Sequence, residues 1–499
     1  MMIPFGEYLP DLPPYQNPGA TVAKNVIPNA SGYLPLKALS AVTSALNTRC
    51  LGVIAARDKD SNVYNYAGTA TKLYVQNSEN MDDVTRTSGA YTTATDEFWE
   101  FVKWDEQVIA TNFSDIPQVI TMGGANFAAL SGSPPKARHI AIIGQFLVFA
   151  NLDESGTLNP IKVRWSGIND ETSWAASAST QSDSQILQSA AQSGGGWIMK
   201  LTGHGDYGLV FQEYSVWRMT YKGSPEVFQF DEIQPGIGTP SRNSVVTIGE
   251  LTFFLGQDGF YEIINGTNII PIGASKLDRT IINDIDTGYM EMVIGAADPV
   301  QRIVMWIYPD TNGGGIPNKY VAYDWVNRKW SHGEFDAEWI YSGIGVGYTL
   351  ETLDNLSASI DALTATLDSR EYTGGALQLT AFDTAHKKAT FSGTSLDATL
   401  ETPEFQIFNQ GERPEDRKAV LSEVRPMVDG DGATLTVQAG TRNEQDANVA
   451  YGSASSPQSD TNIAHFRSTA RYHRVRVNIS GDFNYAIGCE IHARKKGKR

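Results

Sequence analysis

The stretch LTFFLGQDGFYEIINGTNIIPI (251–272) decides how the rest of the chain is interpreted. It contains three apolar runs separated by polar turns, namely Leu251–Leu255, Phe260–Ile264 and Asn268–Ile272. Asp258-Gly259 and Asn265-Gly266 supply the residues with positive φ that two-residue hairpin turns require. The segment is therefore predicted to form a three-stranded antiparallel meander.

Groups of the same texture recur at intervals of roughly 40–50 residues, which is the size of one four-stranded propeller blade. The clearest groups join a strand and a turn to an aromatic-rich strand, and lie at 97–120, 137–150, 160–174 and 197–221. Further along, Ile303–Tyr308 is predicted to be a buried strand, and Val321–Trp330 a hairpin that turns near Asn327-Arg328. We therefore expect an all-β fold with a β-propeller body. Between five and eight blades fit, and a pair of β-sandwiches would give the same local texture.

The strand groups divide the chain into three zones. Residues 1–45 carry seven prolines and no strong period, and are expected to form an extended N-terminal arm. Residues 46–395 are expected to form the β-propeller-like body, and residues 396–499 a C-terminal β-sandwich-like domain with a basic tail. In that domain Val475, Val477 and Ile479 alternate with polar residues, as in a strand with one wet face.

Two helical patterns interrupt the strands. Leu277, Ile281, Ile282 and Ile285 fall on one face of a helix predicted over Ala274–Ile285. The leucines and the isoleucine between Leu353 and Leu367 also fit a helical period, but that stretch is rich in Ser, Thr, Asp and Ala. It could equally be an extended connection.

Composition excludes several classes of protein. The chain has 499 residues, of which 41% are hydrophobic and 19% charged, so it is not a wholly disordered protein. Its 39 basic and 56 acidic residues give a net charge of −17, which argues against a nucleic-acid reader, because such domains are usually basic. Only Cys50 and Cys489 are present, which excludes a disulfide scaffold or a cysteine-based zinc site and suggests folding in a reducing compartment. No apolar run is long enough for a transmembrane helix, and the N-terminus lacks the features of a secretory signal.

The sequence contains no motif that indicates catalysis. GxxxxGK[ST], HExxH, GxSxG and CxxC are all absent. The GxGxG run at Gly343, Gly345 and Gly347 lacks a strand–helix context and is predicted to be a loop or blade edge. The turn Asp429–Gly432 lacks the further acidic ligands of a calcium loop and is predicted to be a hairpin turn. We therefore expect a protein that is not an enzyme, with no catalytic, cofactor-binding or metal-binding residue.

The histidines and tryptophans fit structural roles better than binding roles. No two histidines have metal-ligand spacing, and the seven are His139, His204, His332, His386, His465, His473 and His492. Six tryptophans recur at strand positions and are expected to pack between blades, namely Trp165, Trp174, Trp217, Trp306, Trp325 and Trp330. The basic run Arg494–Arg499 is interpreted as a solvated terminus, and its alternative is contact with an acidic partner or with nucleic acid.

Several segments, in order along the chain, resemble the structural tail proteins of short-tailed bacteriophages. The opening FGEYLPDLPPYQNPGATVAKNVIPNASGYLP (5–35) is similar to the start of their packaged-DNA stabilisation, or tail hub (nozzle), proteins. The other resembling segments are YSVWRMTY (214–221), FQFDEIQPGIGTPSRNSVV (228–246), FFLGQDGFYEI (253–263), YVAYDWVNRKWS (320–331), SIDALTATLDSREYTGG (359–375) and RYHRVRVNISGDFNYAIGCEIHARKKG (471–497). The resemblance therefore touches all three zones.

This resemblance implies a β-propeller subunit of a homo-hexameric ring below the portal and its adaptor. Such a ring forms part of the DNA conduit, retains the packaged genome and allows its ejection into the host. The implied partners are the adaptor (head-to-tail connector) protein, tail fibre, spike or needle proteins, and double-stranded DNA in transient, non-specific passage. The implied location is the virion, after assembly in the host bacterial cytoplasm. No catalytic residue is implied.

The charge fits a conduit, because an acidic lumen lets DNA pass by repulsion and makes no tight phosphate contacts. An alternative function is carbohydrate binding or degradation by a β-propeller, and a further one is receptor binding. Exposed aromatic side chains near paired carboxylates would favour the carbohydrate function, whereas a closed six-fold assembly would favour the tail ring.

Overall fold

The computed structural model describes residues 1–13, 17–190, 194–345, 359, 375, 377–407, 418–430 and 432–496. Residues 251–271 form a meander: Leu251–Leu255 pairs with Phe260–Ile264, which pairs with Asn268–Pro271. Asn265 and Gly266 both have positive φ, as the second hairpin requires. The meander prediction is therefore confirmed.

The described strands are numbered β1 to β39 in chain order. The N-terminal strands are β1 (Met2–Pro4), β2 (Ala23–Lys24), β3 (Val26–Asn29), β4 (Gly32–Pro35) and β5 (Lys37–Ala45). The strands of the central part are β6 (Gly52–Arg57), β7 (Val63–Gly68), β8 (Leu73–Asn77), β9 (Asn80–Asp83), β10 (Glu100–Trp104), β11 (Gln107–Thr111), β12 (Gln118–Thr121), β13 (Ala128–Ala129), β14 (Lys136–Ile143), β15 (Phe146–Glu154), β16 (Thr157–Trp165), β17 (Asp183–Ile186), β18 (Ile198–Gly203), β19 (Tyr207–Gln212), β20 (Ser215–Tyr221), β21 (Phe228–Pro235), β22 (Val246–Ile248), β23 (Leu251–Leu255), β24 (Phe260–Ile264), β25 (Asn268–Pro271), β26 (Ile294–Asp298), β27 (Ile303–Tyr308), β28 (Lys319–Asp324), β29 (Lys329–Glu334), β30 (Trp339–Ile344), β31 (Leu377–Phe382) and β32 (Lys387–Ser395). The C-terminal strands are β33 (Ala398–Glu401), β34 (Ala419–Asp429), β35 (Thr434–Arg442), β36 (Ala450–Tyr451), β37 (Ala464–Ala470), β38 (Tyr472–Ser480) and β39 (Tyr485–Lys495).

Seven four-stranded antiparallel units, built from the described residues, form the blades of a propeller. Blades 1 to 6 take four consecutive strands each, from β6–β9 through β26–β29. The first strands of neighbouring blades contact one another around a central axis, except that β18 of blade 4 contacts the short helix Arg242–Ser244 that precedes β22 of blade 5. β30 of blade 7 contacts β6 of blade 1, which closes the ring. Blades 4 and 5 meet through apolar packing, in which Phe211 lies edge-on to Phe254 at 5.2 Å between ring centroids. The predicted all-β fold with a propeller body is confirmed.

Blade 7 is completed by a strand from the other end of the chain. Its sheet has the order β30-β31-β32-β5, so three strands come from after residue 338 and the fourth from Lys37–Ala45. The register pairs Leu39 with Phe391 and Ala41 with Ala389. This strand acts as a latch, because it ties the N-terminal region to the last blade.

The C-terminal domain is a two-sheet sandwich joined to blade 6. One sheet has the order β3-β4-β39-β34-β37, with β1 also on β39. The other continues blade 6 outward through β29-β2-β33-β38-β35-β36 and makes one nine-stranded sheet. The two-residue strand β2 bridges the domains: Lys24 aligns with His332 of blade 6 on one side and with Thr399 of the sandwich on the other.

Residues 1–45, which were expected to form an extended N-terminal arm, thus pair with later segments of the same chain. They contribute β1, β3 and β4 to the sandwich, β2 to the seam and β5 to blade 7. Asn25, which has positive φ, accepts a hydrogen bond from Glu334 N at 2.9 Å and donates one to the Asp397 carbonyl at 2.9 Å. One apolar core runs from the N-terminal segment through blades 5 and 6 into the sandwich.

Three further local predictions can be compared with the structure, and their outcomes differ. The predicted helix is shorter than Ala274–Ile285: α1 spans Asp278–Asp284, and residues before it form a turn. The prediction of a hairpin turn at Asp429–Gly432 is wrong, because β34 and β35 belong to different sheets of the sandwich and do not pair with each other. The helical pattern at 353–367 lies outside the described residues, apart from Ser359.

Trp330 lies in the apolar core that blade 6 shares with the N-terminal segment, and the stability of the fold should depend strongly on it. Its side chain is 0% exposed, its ring lies 4.5 Å from that of Tyr323, and its Nε1 donates to the Ile272 carbonyl at 3.2 Å. We expect Trp330→Ala to lower the free energy of unfolding by about 3–5 kcal/mol, the usual cost of a large cavity. Val326→Ala, at a side chain 51% exposed, should change it by less than about 0.5 kcal/mol. Urea denaturation followed by fluorescence and circular dichroism measures both, and equal effects would contradict this account of the core.

Candidate functional site

The axial channel is where side chains from the most blades converge. It is lined by the first strands of the blades, and we call the end at which those strands begin the upper mouth. The channel contains a cavity of about 450 Å³ whose lining comes from blades 1 to 5 and blade 7. Apolar side chains and polar ones line it together, and the charged residues among them are Glu100, Lys103 and Lys200.

Glu100 is the centre of a charged cluster in the channel wall. It is the first residue of β10 in blade 2 and is buried. Its Oε1 accepts from Lys200 Nζ of blade 4 at 2.8 Å and lies 3.0 Å from His139 Nδ1 of blade 3. Its Oε2 accepts from the Ile140 backbone N–H at 3.2 Å. One carboxylate therefore links three blades.

The ionisation of this cluster follows from its partners. Burial alone would raise the pKa of Glu100, but the charges of Lys200 and His139, with their hydrogen bonds, lower it to about 2. For His139 burial lowers the pKa, with Arg242 and Lys200 adding repulsion against attraction by Glu100. The imidazole is therefore neutral near pH 7, between Glu100 and the Ile198 carbonyl, which lies 3.1 Å from Nε2.

A second cluster spans the upper mouth. Glu97, just before blade 2, accepts from Arg138 Nε of blade 3 at 2.8 Å and from Arg242 Nη1 at 3.0 Å. Arg242 begins a short 3-10 helix, Arg242–Ser244, between blades 4 and 5, and its guanidinium lies 4.8 Å from the centroid of the Phe98 ring. Because blade 2 and the blade 4–5 connection are not neighbours in the ring, this ion pair crosses the mouth.

Beside the mouth, two aromatic side chains are exposed to solvent. Trp197 is 53% exposed and Tyr214 is 37% exposed. Backbone hydrogen bonds hold their segments together, from Glu213 N to the Trp197 carbonyl at 3.1 Å and from Tyr214 N to the Gly195 carbonyl at 3.0 Å. The guanidinium of Arg138 lies 5.7 Å from the centroid of the Trp197 ring. Trp197 is therefore an exposed aromatic side chain on a segment that backbone hydrogen bonds hold in place, with the Arg138 guanidinium beside it.

The tryptophans that the sequence assigned to packing do pack inside the fold. Trp165, Trp174, Trp306 and Trp330 are buried, and Trp217 and Trp325 are partly buried against apolar clusters. Trp197, which sequence analysis did not single out, is the exposed one. Its position after Gly194–Gly196 and before a strand was the available signal, since a tryptophan in a glycine-rich loop has little to pack against.

The histidines lie apart in the structure and serve local contacts. His139 belongs to the Glu100 cluster, His386 Nδ1 lies 2.6 Å from Glu338 Oε1, and the rings of His332 and Tyr8 stack at 4.2 Å. Within the described ranges, no group of three or more His, Cys, Asp or Glu side chains is arranged to hold a metal ion. Both cysteines are buried and unbridged, and burial raises the pKa of each thiol.

The sequence carries one signal for the channel clusters, which were not predicted from it. In EFWEF (97–101) two glutamates interrupt an aromatic run at the start of a strand. Buried charges must be paired, so such glutamates predict partners elsewhere. The partners come from positions 138 to 242 and are fixed by ring geometry, which sequence spacing does not reveal. The described part of Gly343–Gly347 is strand β30 followed by Gly345.

Comparison with known proteins bears on the fold alone. No family model and no curated protein matches the sequence. Among solved structures, the chain is similar to the WD40 domain of Pan2 from Neurospora crassa, with 8% identity over 73% of this chain and 96% of that one and a TM-score of 0.39. It is also similar to the computationally designed protein Ika8 (9% identity, 71% and 98% coverage, TM-score 0.36) and to BamB from Moraxella catarrhalis (10% identity, 62% and 94% coverage, TM-score 0.30). No helix in the described part of the chain is long and apolar enough to cross a membrane.

The Glu100 cluster makes stability depend on pH in a defined window. We expect Glu100→Gln to lower the free energy of unfolding by about 3–5 kcal/mol, because it leaves buried partners uncompensated. Since the folded-state pKa of Glu100 is about 2, below its ordinary value of 4.5, the cluster stabilises the fold above pH 4.5. That contribution disappears as the pH falls from 4.5 to 2.

Denaturation of both proteins between pH 7 and pH 2 measures this effect. The Glu100→Gln variant should lose less stability than the wild type on acidification. Asp60→Asn is the control, because Asp60 is 69% exposed and its pair with Lys59 spans 3.6 Å. It should cost less than about 1 kcal/mol. Parallel pH curves for the wild type and the Glu100→Gln variant would refute the assigned role.

Proposed function

We propose that this chain is a structural subunit of a short-tailed bacteriophage tail, in the hub or nozzle ring below the portal and adaptor. In this role it forms part of the DNA conduit, holds back the packaged genome and allows its ejection. The proposal begins from the ordered resemblance along the sequence. Two of the resembling segments, 5–35 and 471–497, contain β2 and β38, and a third, 320–331, reaches into β29; these strands belong to the sheet that joins propeller and sandwich.

The observation that carries the proposal is the continuity of the propeller and the sandwich. A nine-stranded sheet passes from blade 6 into the C-terminal domain, and one apolar core underlies both. The seam is strengthened by a Lys24–Glu334 ion pair at 2.6 Å and by Thr21, which donates to the buried Glu401 at 2.8 Å. Domains joined by a flexible linker would move independently. A chain built this way transmits force as one body, which suits a wall under the pressure of packaged DNA.

The conduit in this proposal lies between copies, outside the channel of any single propeller. A base pair of duplex DNA fills roughly 1,000 Å³, taking a diameter of about 20 Å and a rise of about 3.4 Å. The cavity of the propeller channel is about 450 Å³, and the Glu97–Arg242 pair crosses its mouth. A ring of subunits is therefore required to enclose the duplex.

The charge distribution supports a lumen lined by propellers. The excess of acidic over basic side chains lies entirely within residues 46–395, because the two balance in 1–45 and in 396–499. Propellers facing the axis would repel the phosphate backbone and let it slide. The electrically balanced sandwich and N-terminal segment are then available for contacts with the adaptor and with fibre, spike or needle proteins.

This function predicts a closed six-fold assembly. Native mass spectrometry and cryo-electron microscopy of the purified chain, alone and with the portal–adaptor complex of the encoding phage, should show six copies around a channel at least about 20 Å wide. Mass spectrometry of purified virions should detect the chain. A protein that stays monomeric in both mixtures and is absent from virions would overturn the proposal.

Carbohydrate binding is the second candidate, and the exposed ring of Trp197 favours it. The apolar face of a sugar ring packs on an exposed aromatic ring, and an anchored ring loses little entropy on binding. Glu213 donates its backbone N–H to the Trp197 carbonyl, so the segment paired with Trp197 also carries a carboxylate that could accept from sugar hydroxyls.

Under this second function, Trp197→Ala should weaken polysaccharide binding at least tenfold. The matched control is Tyr289→Ala, which removes an aromatic side chain that is 41% exposed but lies between blades 5 and 6. An array of bacterial surface polysaccharides, followed by calorimetry on any positive, provides the measurement. No binding by the wild type, or equal binding by both variants, would eliminate this candidate.

A further inference from the structure

One sheet of the C-terminal sandwich has a face that is open to solvent. The sheet β3-β4-β39-β34-β37 buries Leu421, Val424 and Ile491 in the core that the sandwich shares with the propeller. Side chains alternate between the two faces along a strand, so the intervening positions point outward. Arg425 and Met427 of β34 are exposed in this way. We call this second face the outer sandwich face.

The outer sandwich face carries arginines without a carboxylate partner. Phe466 of the edge strand β37 packs against the core, and its neighbour Arg467 is exposed. On β39, Ala493 packs against the same core and Arg494 beside it is exposed. Among the described residues, neither arginine has a carboxylate within ion-pair distance. The basic run Arg494–Arg499 begins at this corner of the face.

The acidic side chains of the face are already matched by their neighbours. Glu490 of β39 pairs with Arg425 at 3.3 Å. Glu423 is half-buried, and the strand register aligns it with His465 on one side and His492 on the other. The unpaired arginines therefore leave a net positive charge on this face, although the chain as a whole carries −17.

The size and composition of the face suit a protein partner. Met427 is 40% exposed, and Met2, which is aligned with Glu490, is 45% exposed. Methionine and arginine are enriched in protein–protein interfaces, whereas surfaces that bind DNA are more polar. Strands β1, β39, β34 and β37 cover roughly 500 Å² before their projecting side chains are counted. One side of a standard interface buries about 800 Å², so the face approaches that size.

We propose that the outer sandwich face of one copy docks on the acidic propeller of a second copy of this chain. The proposal rests on the ring that the proposed function requires, and it names the surfaces through which neighbouring subunits join. Charge complementarity selects the partner, because the acidic excess of this chain lies within residues 46–395.

The same charges disfavour contacts between like surfaces. Two propellers that meet face to face repel each other, and so do two outer sandwich faces. A contact between two different surfaces is heterologous, and it forms a closed ring when the rotation between copies is suitable. Docking of the basic face on the acidic propeller is therefore the arrangement that satisfies both charge and ring formation.

Charge reversal on the outer sandwich face tests the proposal. Native mass spectrometry and sedimentation velocity of the full chain, alone and with the portal–adaptor complex, measure assembly. Arg467→Glu/Arg494→Glu should raise the protein concentration needed for assembly at least tenfold. Arg467→Lys/Arg494→Lys should keep it within about threefold, since both positive charges remain.

A matched control makes the same change of charge on the propeller. Lys59 is 71% exposed and Lys222 is exposed, so Lys59→Glu/Lys222→Glu should not weaken assembly. All three double variants alter exposed side chains and should unfold at the temperature of the wild type, which separates lost docking from misfolding.

Carbodiimide crosslinking between isotopically distinct copies locates the contact. Lys496 follows β39 and donates its backbone N–H to the Lys418 carbonyl at 2.8 Å, so it lies at the edge of the outer sandwich face. Its side chain should crosslink to carboxylates within residues 46–395 of another copy.

The outcomes separate this inference from the proposed function. Rings that form equally well with Arg467→Glu/Arg494→Glu would overturn the docking surface and leave the ring intact. Crosslinks from Lys496 only to the adaptor, to another sandwich or to duplex DNA would do the same. A chain that stays monomeric in every mixture and is absent from virions would overturn both proposals.

Discussion

Closure of the seven-bladed ring is the constraint on which the rest of this structure depends. Each blade buries both faces against its neighbours, so an open ring would expose the flanks of blades 7 and 1. The chain meets this need by pairing Leu39 with Phe391, which closes a loop of roughly 350 residues at an entropic cost on the order of 5 kcal/mol. At the blade 7–blade 1 contact the buried Lys388 donates to Gln76 at 2.6 Å, and burial lowers its pKa to about 8. Its partner there is a neutral amide, so no opposite charge offsets the free-energy cost of desolvating the Lys388 ammonium group. The contact therefore makes the pairing of blade 7 with blade 1 specific at that cost.

The latch also explains the position of the N-terminal segment. A strand that must reach blade 7 from outside the ring passes the outer edge of blade 6, where β2 pairs with β29. Once β2 covers that edge, its other side offers a template on which β33 and the sandwich sheet build. The same segment therefore closes the ring and attaches the second domain. Glu401, which is 0% exposed, fixes this junction by pairing with Arg476 and accepting from Thr21.

Local features of the sequence were sufficient to predict the strands and the fold class, and long-range pairing was not predictable from them. Asp-Gly and Asn-Gly turns fix hairpins within a few residues, which is why the 251–272 meander and the hairpin after Val321 were predictable. The latch strand β5 forms only when residues 37–45 pair in register with residues 387–395. The prolines near this segment suggested an extended arm instead. The channel clusters were missed for the same reason, because Glu97 and Glu100 find their partners through ring geometry. The count of seven blades, left between five and eight by the sequence, depended on recognising that one blade is shared between the two ends of the chain.

The placement of charge links the fold to its proposed role. The excess of acidic side chains falls within residues 46–395, the range that holds the propeller body, so each propeller carries a net negative charge. A duplex that met the outer surface would be repelled, and one that met the channel would find it too narrow and crossed by Arg242. In the proposed role, DNA would therefore pass along a surface shared by several copies. A subunit that neither binds the duplex nor admits it to its channel can still confine it if its domains do not move apart under load. The sheet shared by blade 6 and the sandwich supplies that rigidity.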